Sequence, residues 1–335
     1  MKIGLIGFGY WGPNLARNFN QNPDFELSYI CDFSADRLKV ATPLYKQTNF
    51  IKDPEALFKD TTLEAIAIAT PVSTHFDLAK RALESGKDVW LEKPMTEKVE
   101  QAEELIELAE KKGRVLHVDH TFVYTGAVRK IRELIDKGEL GELIYYDSTR
   151  VNLGLFQQDV DVIWDLAPHD ISIMDYLMPF KKLAVSATGS KYYGNGIVPK
   201  ALLTIYMENN IVGHINVSWV SPVKIRQTLI GGTAKMVLYD DNQPSEKIKI
   251  YDKGVQLLET KEDLYHLKVQ YRVGDMWAPK ISDHEALGLQ TKHFAECLKK
   301  REKPLTDGKA GLEVVKILVA SQESLKGRGI PVELA

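Results

Sequence analysis

Two clusters in the chain pair groups that can move a proton at an alcohol. The first is Glu92-Lys93-Pro94, which closes the apolar run Asp88-Val89-Trp90-Leu91. There the Lys93 ammonium can stabilise an alkoxide developing from a hydroxyl, and Pro94 biases Lys93 away from helical geometry. The second is Trp164-Asp165-Leu166-Ala167-Pro168-His169-Asp170, followed by Ile171, Met174 and Met178 at helical spacing. With Asp165 as N-cap, Pro168 falls in the first turn, where its missing N–H is tolerated, and His169 sits one turn above Asp165 on the same face. His169 can then exchange a hydroxyl proton near neutral pH, with Asp165 orienting the ring or meeting the substrate. Each cluster has a plain reading too: a solvated Glu-Lys pair, and a capped helix start with a packed histidine. A strand's carboxyl end is where ligands bind in open α/β sheets, and that place favours chemistry for Lys93.

A glycine turn at the start of the chain supplies a partner for such chemistry. The run Lys2-Ile3-Gly4-Leu5-Ile6 enters Gly7-Phe8-Gly9-Tyr10-Trp11-Gly12 and leaves through Pro13 into a helical pattern. Gly7 permits a turn with positive φ, Gly9 lets backbone approach a pyrophosphate, and Gly12 lets the helix pack closely. Free N–H groups at that helix start form an anion site suited to a dinucleotide. Asp32, twenty positions after Gly12 and at the end of Leu27-Ser28-Tyr29-Ile30-Cys31, can accept both hydroxyls of an adenine ribose and repel a 2′-phosphate. NAD is therefore expected and NADP disfavoured. Ser34 with Arg37 could hold a phosphate, against which Asp36 adds negative charge.

Elements that would position these groups follow from periodicity. Residues 1 to about 120 alternate short apolar strands with amphipathic helices, the pattern of a parallel sheet covered on both faces. Ala65-Ile66-Ala67-Ile68-Ala69 reads as a central strand ending at Thr70-Pro71, with His75 opening the next helix. Thr70, Pro71, Glu92, Lys93 and Asp119 to Phe122 are expected to line one cleft, and His75 reads equally as a residue facing the cofactor and as a plain helix-start histidine. Beyond about residue 120 the pattern changes to strands over 142–151, 183–190, 201–207, 211–219, 225–230 and 234–239, with turns such as Glu208-Asn209-Asn210. One helix starting near Asp165 interrupts them, and helical spacing returns over 283–300 and 309–326. The expected architecture is an α/β Rossmann domain over 1–120 and an α+β domain with a large, mostly antiparallel open sheet over 121–335, the latter binding substrate and making a homodimer or homotetramer.

Bulk properties exclude several classes. A chain of 335 residues with a formal net charge of −3 has no electrostatic footprint for nucleic acid. No apolar run approaches the roughly 20 residues that cross a bilayer. Cys31 and Cys297, far apart and outside any CxxC, suit buried thiols in a reducing cytoplasm. A metal site from Asp161, Asp165, His169 and Asp170 lacks a second histidine at ligand spacing, so none is expected. In His117-Val118-Asp119-His120, alternation puts His117 and Asp119 on one face and leaves His120 at the strand's end. Tyr124, Arg150, Asn152 and Trp164 lie near element ends and can bind hydroxyls or phosphates of a substrate, although Arg150 reads equally as a surface ion-pair residue.

The glycine turn, Glu92-Lys93-Pro94 and Asp165 through His169, in that order and spacing, resemble the glucose-fructose oxidoreductase and inositol dehydrogenase family (Gfo/Idh/MocA). The resemblance covers essentially the whole chain. It implies a nicotinamide held over a sugar or cyclitol, with Lys93, Asp165 and His169 as catalytic groups and His169 as general acid/base. The expected cofactor contacts, read from the turn and the strand ends, are Gly7, Phe8, Gly9, Tyr10, Trp11, Gly12, Asp32, Arg37, Thr70, Pro71, His75, Glu92 and Lys93. Substrate contacts are Lys93, His120, Tyr124, Arg150, Asn152, Trp164, Asp165 and His169. Within the family, Tyr10 to Asn14, His120-Thr121-Phe122 and Trp164 to Asp170 look most like bacterial nucleotide-sugar dehydrogenases that oxidise C3 of a UDP-N-acetylhexosamine. Other readings are an inositol or free-sugar dehydrogenase, a redox-assisted glycosidase and a non-catalytic NAD-sensing module. The joint presence of Lys93 and His169 argues against the last, and the dehydrogenase reading expects those two side chains to meet over a bound nicotinamide.

Overall fold

Apolar runs that are buried on both faces become the centre of a parallel sheet, because only such a sheet hides both sides of every strand. The computed structural model describes residues 1–154, 160–191, 196–257 and 269–334. Contacts divide the chain into two compact units, Met1–Tyr124 with His284–Val319, and Thr125–Asp283 with Ala320–Ala335. In the first unit, strands β1 (Lys2–Ile6), β2 (Glu26–Cys31), β3 (Asn49–Ile51), β4 (Ala65–Ile68), β5 (Asp88–Glu92) and β6 (Leu116–Asp119) form a parallel sheet in the order β3-β2-β1-β4-β5-β6. All four residues of β4 are buried. The order reverses between β1 and β4, which is the switch point where such sheets bind ligands.

The stretch 284–319, which the periodicity assigns to the second domain, folds with the first unit. Helix Ala286–Lys300 sends Phe294 against Phe25, Trp90 and His117, with ring centroids 6.0, 5.5 and 5.5 Å apart. Arg301 donates twice to the buried Asp88 at 2.8 Å, and Val118 N–H donates to the Thr306 carbonyl at 2.8 Å. Periodicity shows that a helix has an apolar face; which sheet receives it is a tertiary matter.

In the second unit, β7 (Leu143–Leu153), β8 (Lys182–Ser190), β9 (Lys200–Met207), β10 (Val212–Ser218), β11 (Val220–Gly232), β12 (Met236–Asp240), β13 (Ile248–Leu257), β14 (Val269–Trp277) and β15 (Val332–Glu333) make a sheet in the order β14-β13-β12-β11-β7-β10-β9-β8-β15. Its pairs are antiparallel except β10 with β7. Asn209 and Asn210 turn β9 into β10 with φ of 61° and 59°, a conformation asparagine tolerates better than most residues. β13 and β14 extend the sheet beyond the expected strands. One face, carrying Tyr146, Ser148, Leu203, Ile205, Ile215 and Val217, is buried, and helix Val162–Leu177 packs on β7, β9 and β10. The opposite face carries the exposed Leu202, Tyr206 and Leu229.

Because Phe294 is fully buried among three rings, Phe294→Ala should lower the stability of the first unit by about 3–5 kcal/mol. Urea unfolding followed by amide exchange in β5 and β6 measures it, and an unchanged midpoint would place that helix outside the first core.

Candidate functional site

In the first unit the site grows from the carboxyl edge of the parallel sheet. Gly7 follows β1 with φ of +96°, and a Cβ there would meet the Ala69 carbonyl oxygen at 2.5 Å, so only glycine turns the chain this close to the end of β4. Gly9 is different: a Cβ would meet only the Arg37 guanidinium, 3.6 Å away. Its bare backbone faces space where a pyrophosphate can approach. Helix Gly12–Gln21 then starts with Pro13 in its first turn and has neither a side-chain cap nor an acidic residue there, a start suited to an anion.

Asp32, at the end of β2, ties this turn down. Its Oδ2 accepts from Phe8 N–H at 2.7 Å and from Arg37 Nη1 at 3.4 Å, and its Oδ1 accepts from Ser34 N–H at 2.8 Å. The carboxylate is thereby fixed beside the turn, and Arg37 is paired with it rather than left for a phosphate. Phe8 contributes through its N–H alone, since its ring is buried against Tyr45. Tyr10 is 91 % exposed. These features together fit NAD: an open glycine backbone, an uncapped helix start and a carboxylate at the ribose position.

At β4 and β5 the expected cleft residues come together. Thr70 lies beside Gly7, and His75, fully buried, has Nδ1 2.8 Å from the Pro94 carbonyl oxygen and Nε2 2.8 Å from that of Thr70. His75 therefore joins the loop after β4 to the Lys93-Pro94 segment instead of facing the cofactor. Burial pushes its pKa down, while hydrogen bonds to those carbonyls act the other way. The Lys93-Pro94 peptide is cis. Glu92 is held well above the usual carboxylate range by burial and by the Asp119 carboxyl beside it. His120, buried at the end of β6, is pushed down to about 3 by burial and the Lys93 charge, so it is a neutral imidazole at neutral pH.

Asp119 is the contact that periodicity does not disclose. Trp11 Nε1 donates to its Oδ2 at 3.0 Å and Thr121 Oγ1 to its Oδ1 at 2.6 Å. Sequence spacing carries no signal for a bond between residues 108 positions apart. Tyr124, expected at the substrate, is buried, and its hydroxyl lies 3.4 Å from Thr306 Oγ1.

In the second unit, helix Val162–Leu177 begins three residues earlier than its expected start at Asp165. Asp161 is the N-cap and accepts from Ile163 and Trp164 N–H groups at 3.0 and 3.2 Å. Pro168 consequently lies inside the helix, not in its first turn. Asp165 and His169 remain four residues apart, one above the other on one helix face. Asp165 Oδ2 accepts from Nε1 of the buried Trp219 at 2.9 Å, a positioning residue with no local signal in the sequence. Trp164, Asp165, His169 and Asn152 are all partly exposed.

Arg150 is a correction. Rather than meeting a substrate or solvent, it is buried and donates from Nε to Asp170 Oδ2 at 2.5 Å and from Nη2 to Asp170 Oδ1 at 3.3 Å. Ser148 Oγ donates to the same carboxylate at 2.6 Å. Two buried opposite charges must pair, so the guanidinium holds the helix to the sheet. Both cysteines are buried free thiols, pushed up to about 12 at Cys31 and about 11 at Cys297, chiefly by burial. Among the described residues no group of three or more His, Cys, Asp or Glu side chains could hold a metal, and no helix is long and apolar enough to cross a membrane.

Comparison with known proteins agrees with this geometry. A family model described as an oxidoreductase family with an NAD-binding Rossmann fold matches residues 1–120, and the GFO/IDH/MocA C-terminal domain model matches 128–237. The scyllo-inositol 2-dehydrogenase (NAD⁺) of Bacillus subtilis is 25 % identical over 352 residues, taking in 100 % of this chain and 96 % of that protein. An uncharacterized oxidoreductase of Escherichia coli, YdgJ, is 34 % identical over 201 residues, which is 56 % of each chain. Among solved structures, the UDP-N-acetylglucosamine 3-dehydrogenase GnnA of Acidithiobacillus ferrooxidans superposes with a TM-score of 0.82 at 22 % identity over 98 % of both chains, a likeness of fold. With a Rossmann sheet, a mostly antiparallel second sheet and models of one family matching both, the chain belongs to the Gfo/Idh/MocA family and is an NAD-binding oxidoreductase.

Proposed function

We propose that the protein transfers hydride between a secondary-alcohol carbon of a sugar ring and NAD, with His169 and Lys93 handling the hydroxyl proton. The observation that carries this reading is the pair Asp165 and His169 on one helix face, with Asp165 held by the buried Trp219. NAD, when bound, supplies the hydride acceptor. A ring nitrogen of His169 takes the hydroxyl proton as the carbonyl forms, and returns it in the reverse direction. Asp165 orients that ring, and Lys93 Nζ stabilises the negative charge developing on the substrate oxygen. His120, neutral beside Lys93, offers a hydrogen bond to substrate without adding charge.

For substrate we propose a UDP-N-acetylhexosamine oxidised at C3. The segments Tyr10 to Asn14, His120 to Phe122 and Trp164 to Asp170 support it, as does the fold shared with GnnA. A second reading, an inositol as substrate, is favoured by the match to scyllo-inositol 2-dehydrogenase along the whole chain. We further propose a cytoplasmic homodimer or homotetramer joined through the open sheet face that carries Leu202, Tyr206 and Leu229.

Three measurements test these assignments. Across UDP-sugars, inositols and free hexoses, NADH formation should be greatest with a UDP-N-acetylhexosamine; on that substrate Lys93→Ala and His169→Ala should each lower kcat by about 10²–10⁴-fold while changing NAD affinity far less. Wild-type turnover in both variants would remove their roles, and a preference for inositol would select the second reading. Asp32→Ser should weaken NAD about tenfold and narrow its advantage over NADP, read by calorimetric titration of both; an unchanged ratio would detach Asp32 from the ribose. Leu229→Lys should shift the light-scattering mass in solution toward the monomer, and an unaltered mass would clear this face of an assembly role.

A further inference from the structure

The Trp11, Asp119 and Glu92 side chains form a connected polar group that the proton relay above does not use. Glu92 is the last residue of β5 and pairs in register with Asp119, the last residue of β6, so the two carboxyls leave the same face of adjacent parallel strands. Two carboxyls so placed repel one another as anions, and a proton on one of them relieves the pair; burial and the Asp119 charge accordingly raise Glu92 well above the usual carboxylate range. Asp119 already accepts from Trp11 Nε1 and Thr121 Oγ1, one donor on each oxygen. Glu92 Oε2, by contrast, is buried with no hydrogen-bond partner, which leaves Glu92 as the place where a proton can sit. Lys93 is the cation that faces Glu92, and it also faces His120, which is neutral.

Trp11 connects this pair to the glycine turn. In sheet order, β4 and β5 separate β1 from β6, so the bond from Trp11 to Asp119 carries the indole across the carboxyl ends of the intervening strands. The half of the sheet on this side of the switch point takes the nicotinamide mononucleotide, since Asp32 and β2 take the adenosine. We propose that Glu92 and Asp119 hold one proton between them and that this proton sets how the NAD site discriminates NADH from NAD, with Trp11 as the positioning residue that fastens the pair to the turn. The physical reason is charge. Reduction removes the positive charge of the nicotinamide ring, so a pair bearing one negative charge tolerates NADH, whereas a pair bearing two favours the cationic, oxidised ring. Releasing the shared proton to solvent thus weakens NADH relative to NAD. The inference needs the NAD site alone and does not depend on which alcohol is oxidised.

The test begins without cofactor. An infrared spectrum of the wild-type protein should contain a buried protonated-carboxyl band that Glu92→Gln abolishes, and its disappearance on raising the pH marks the interval of proton loss. Across that interval, the ratio of NADH to NAD dissociation constants, each measured by calorimetric titration, should rise by about tenfold in the wild type and stay level in Glu92→Gln. Trp11→Phe removes a donor to Asp119, so the pair should hold its proton more tightly and the rise should move to higher pH. If Glu92→Gln fails to fold by circular dichroism, the Trp11→Phe shift and the wild-type band decide. Absence of the band, its survival to the alkaline limit of folding, or an equal rise in Glu92→Gln would overturn the proposal, the last by assigning the effect to Lys93. An inactive protein on every alcohol, with these binding results intact, would instead count against the sugar reading.

Discussion

A single carboxylate fixes the frame on which the cofactor half of this protein depends. By accepting the Phe8 N–H at 2.7 Å, Asp32 fastens the glycine turn after β1 to the end of β2, while its second oxygen orders the chain at Ser34. A glycine turn is by nature loose, because glycine loses more conformational freedom on folding than any other residue. A buried, charge-assisted bond offsets that looseness where backbone must approach a ligand. The same group thus serves the turn after β1 and the chain at Ser34 together. The close contact of Gly7 with the Ala69 carbonyl adds β4 to the assembly, so three strand ends are held around one open backbone segment.

How much of this was readable in the residues depends on the range of the interaction. The glycine turn, the place of Asp32 just after β2, the central strand at Ala65–Ile68 and the antiparallel character of the later strands rest on spacing within one element or its neighbour, and the structure shows each of them. What escaped is non-local. Helix Ala286–Lys300 has an apolar face that any sheet could receive, and it went to the first unit because Phe294 fits among Phe25, Trp90 and His117. Arg150 looked like a residue at an open strand end. Its partner Asp170 lies 20 residues away, inside the next helix, and pairing reversed its side chain's environment from solvent to core.

Bonds from tryptophan N–H groups to carboxylates occur in both units and do similar work. Trp11 restrains Asp119 in the first, and Trp219 restrains Asp165 in the second. An indole donates a single hydrogen bond and accepts none, so it can orient a carboxylate without offering a competing base. Its large apolar body also keeps water from one side of the group it holds. Such bonds span 108 and 54 residues here, which is why periodicity and motif spacing pass over them.

The helix bearing Asp165 and His169 shows how a locally unfavourable residue is tolerated. Pro168 stands six positions beyond the first helical residue, Val162, where it cannot donate to the Trp164 carbonyl one turn back. An interior proline costs about 3 kcal/mol in an isolated helix, enough to end this one before His169. Anchors on either side of the proline oppose that. Asp161 caps the N-terminus with two N–H groups on one oxygen and receives Gln322 Nε2 on the other at 2.7 Å. Beyond the proline, Asp170 is bound to Arg150 and Ser148 on the sheet. Trp219 holds Asp165 between those anchors. The segment is thus fixed by contacts outside the helix more than by its own ladder, which is the preorganisation that the proposed use of Asp165 and His169 requires.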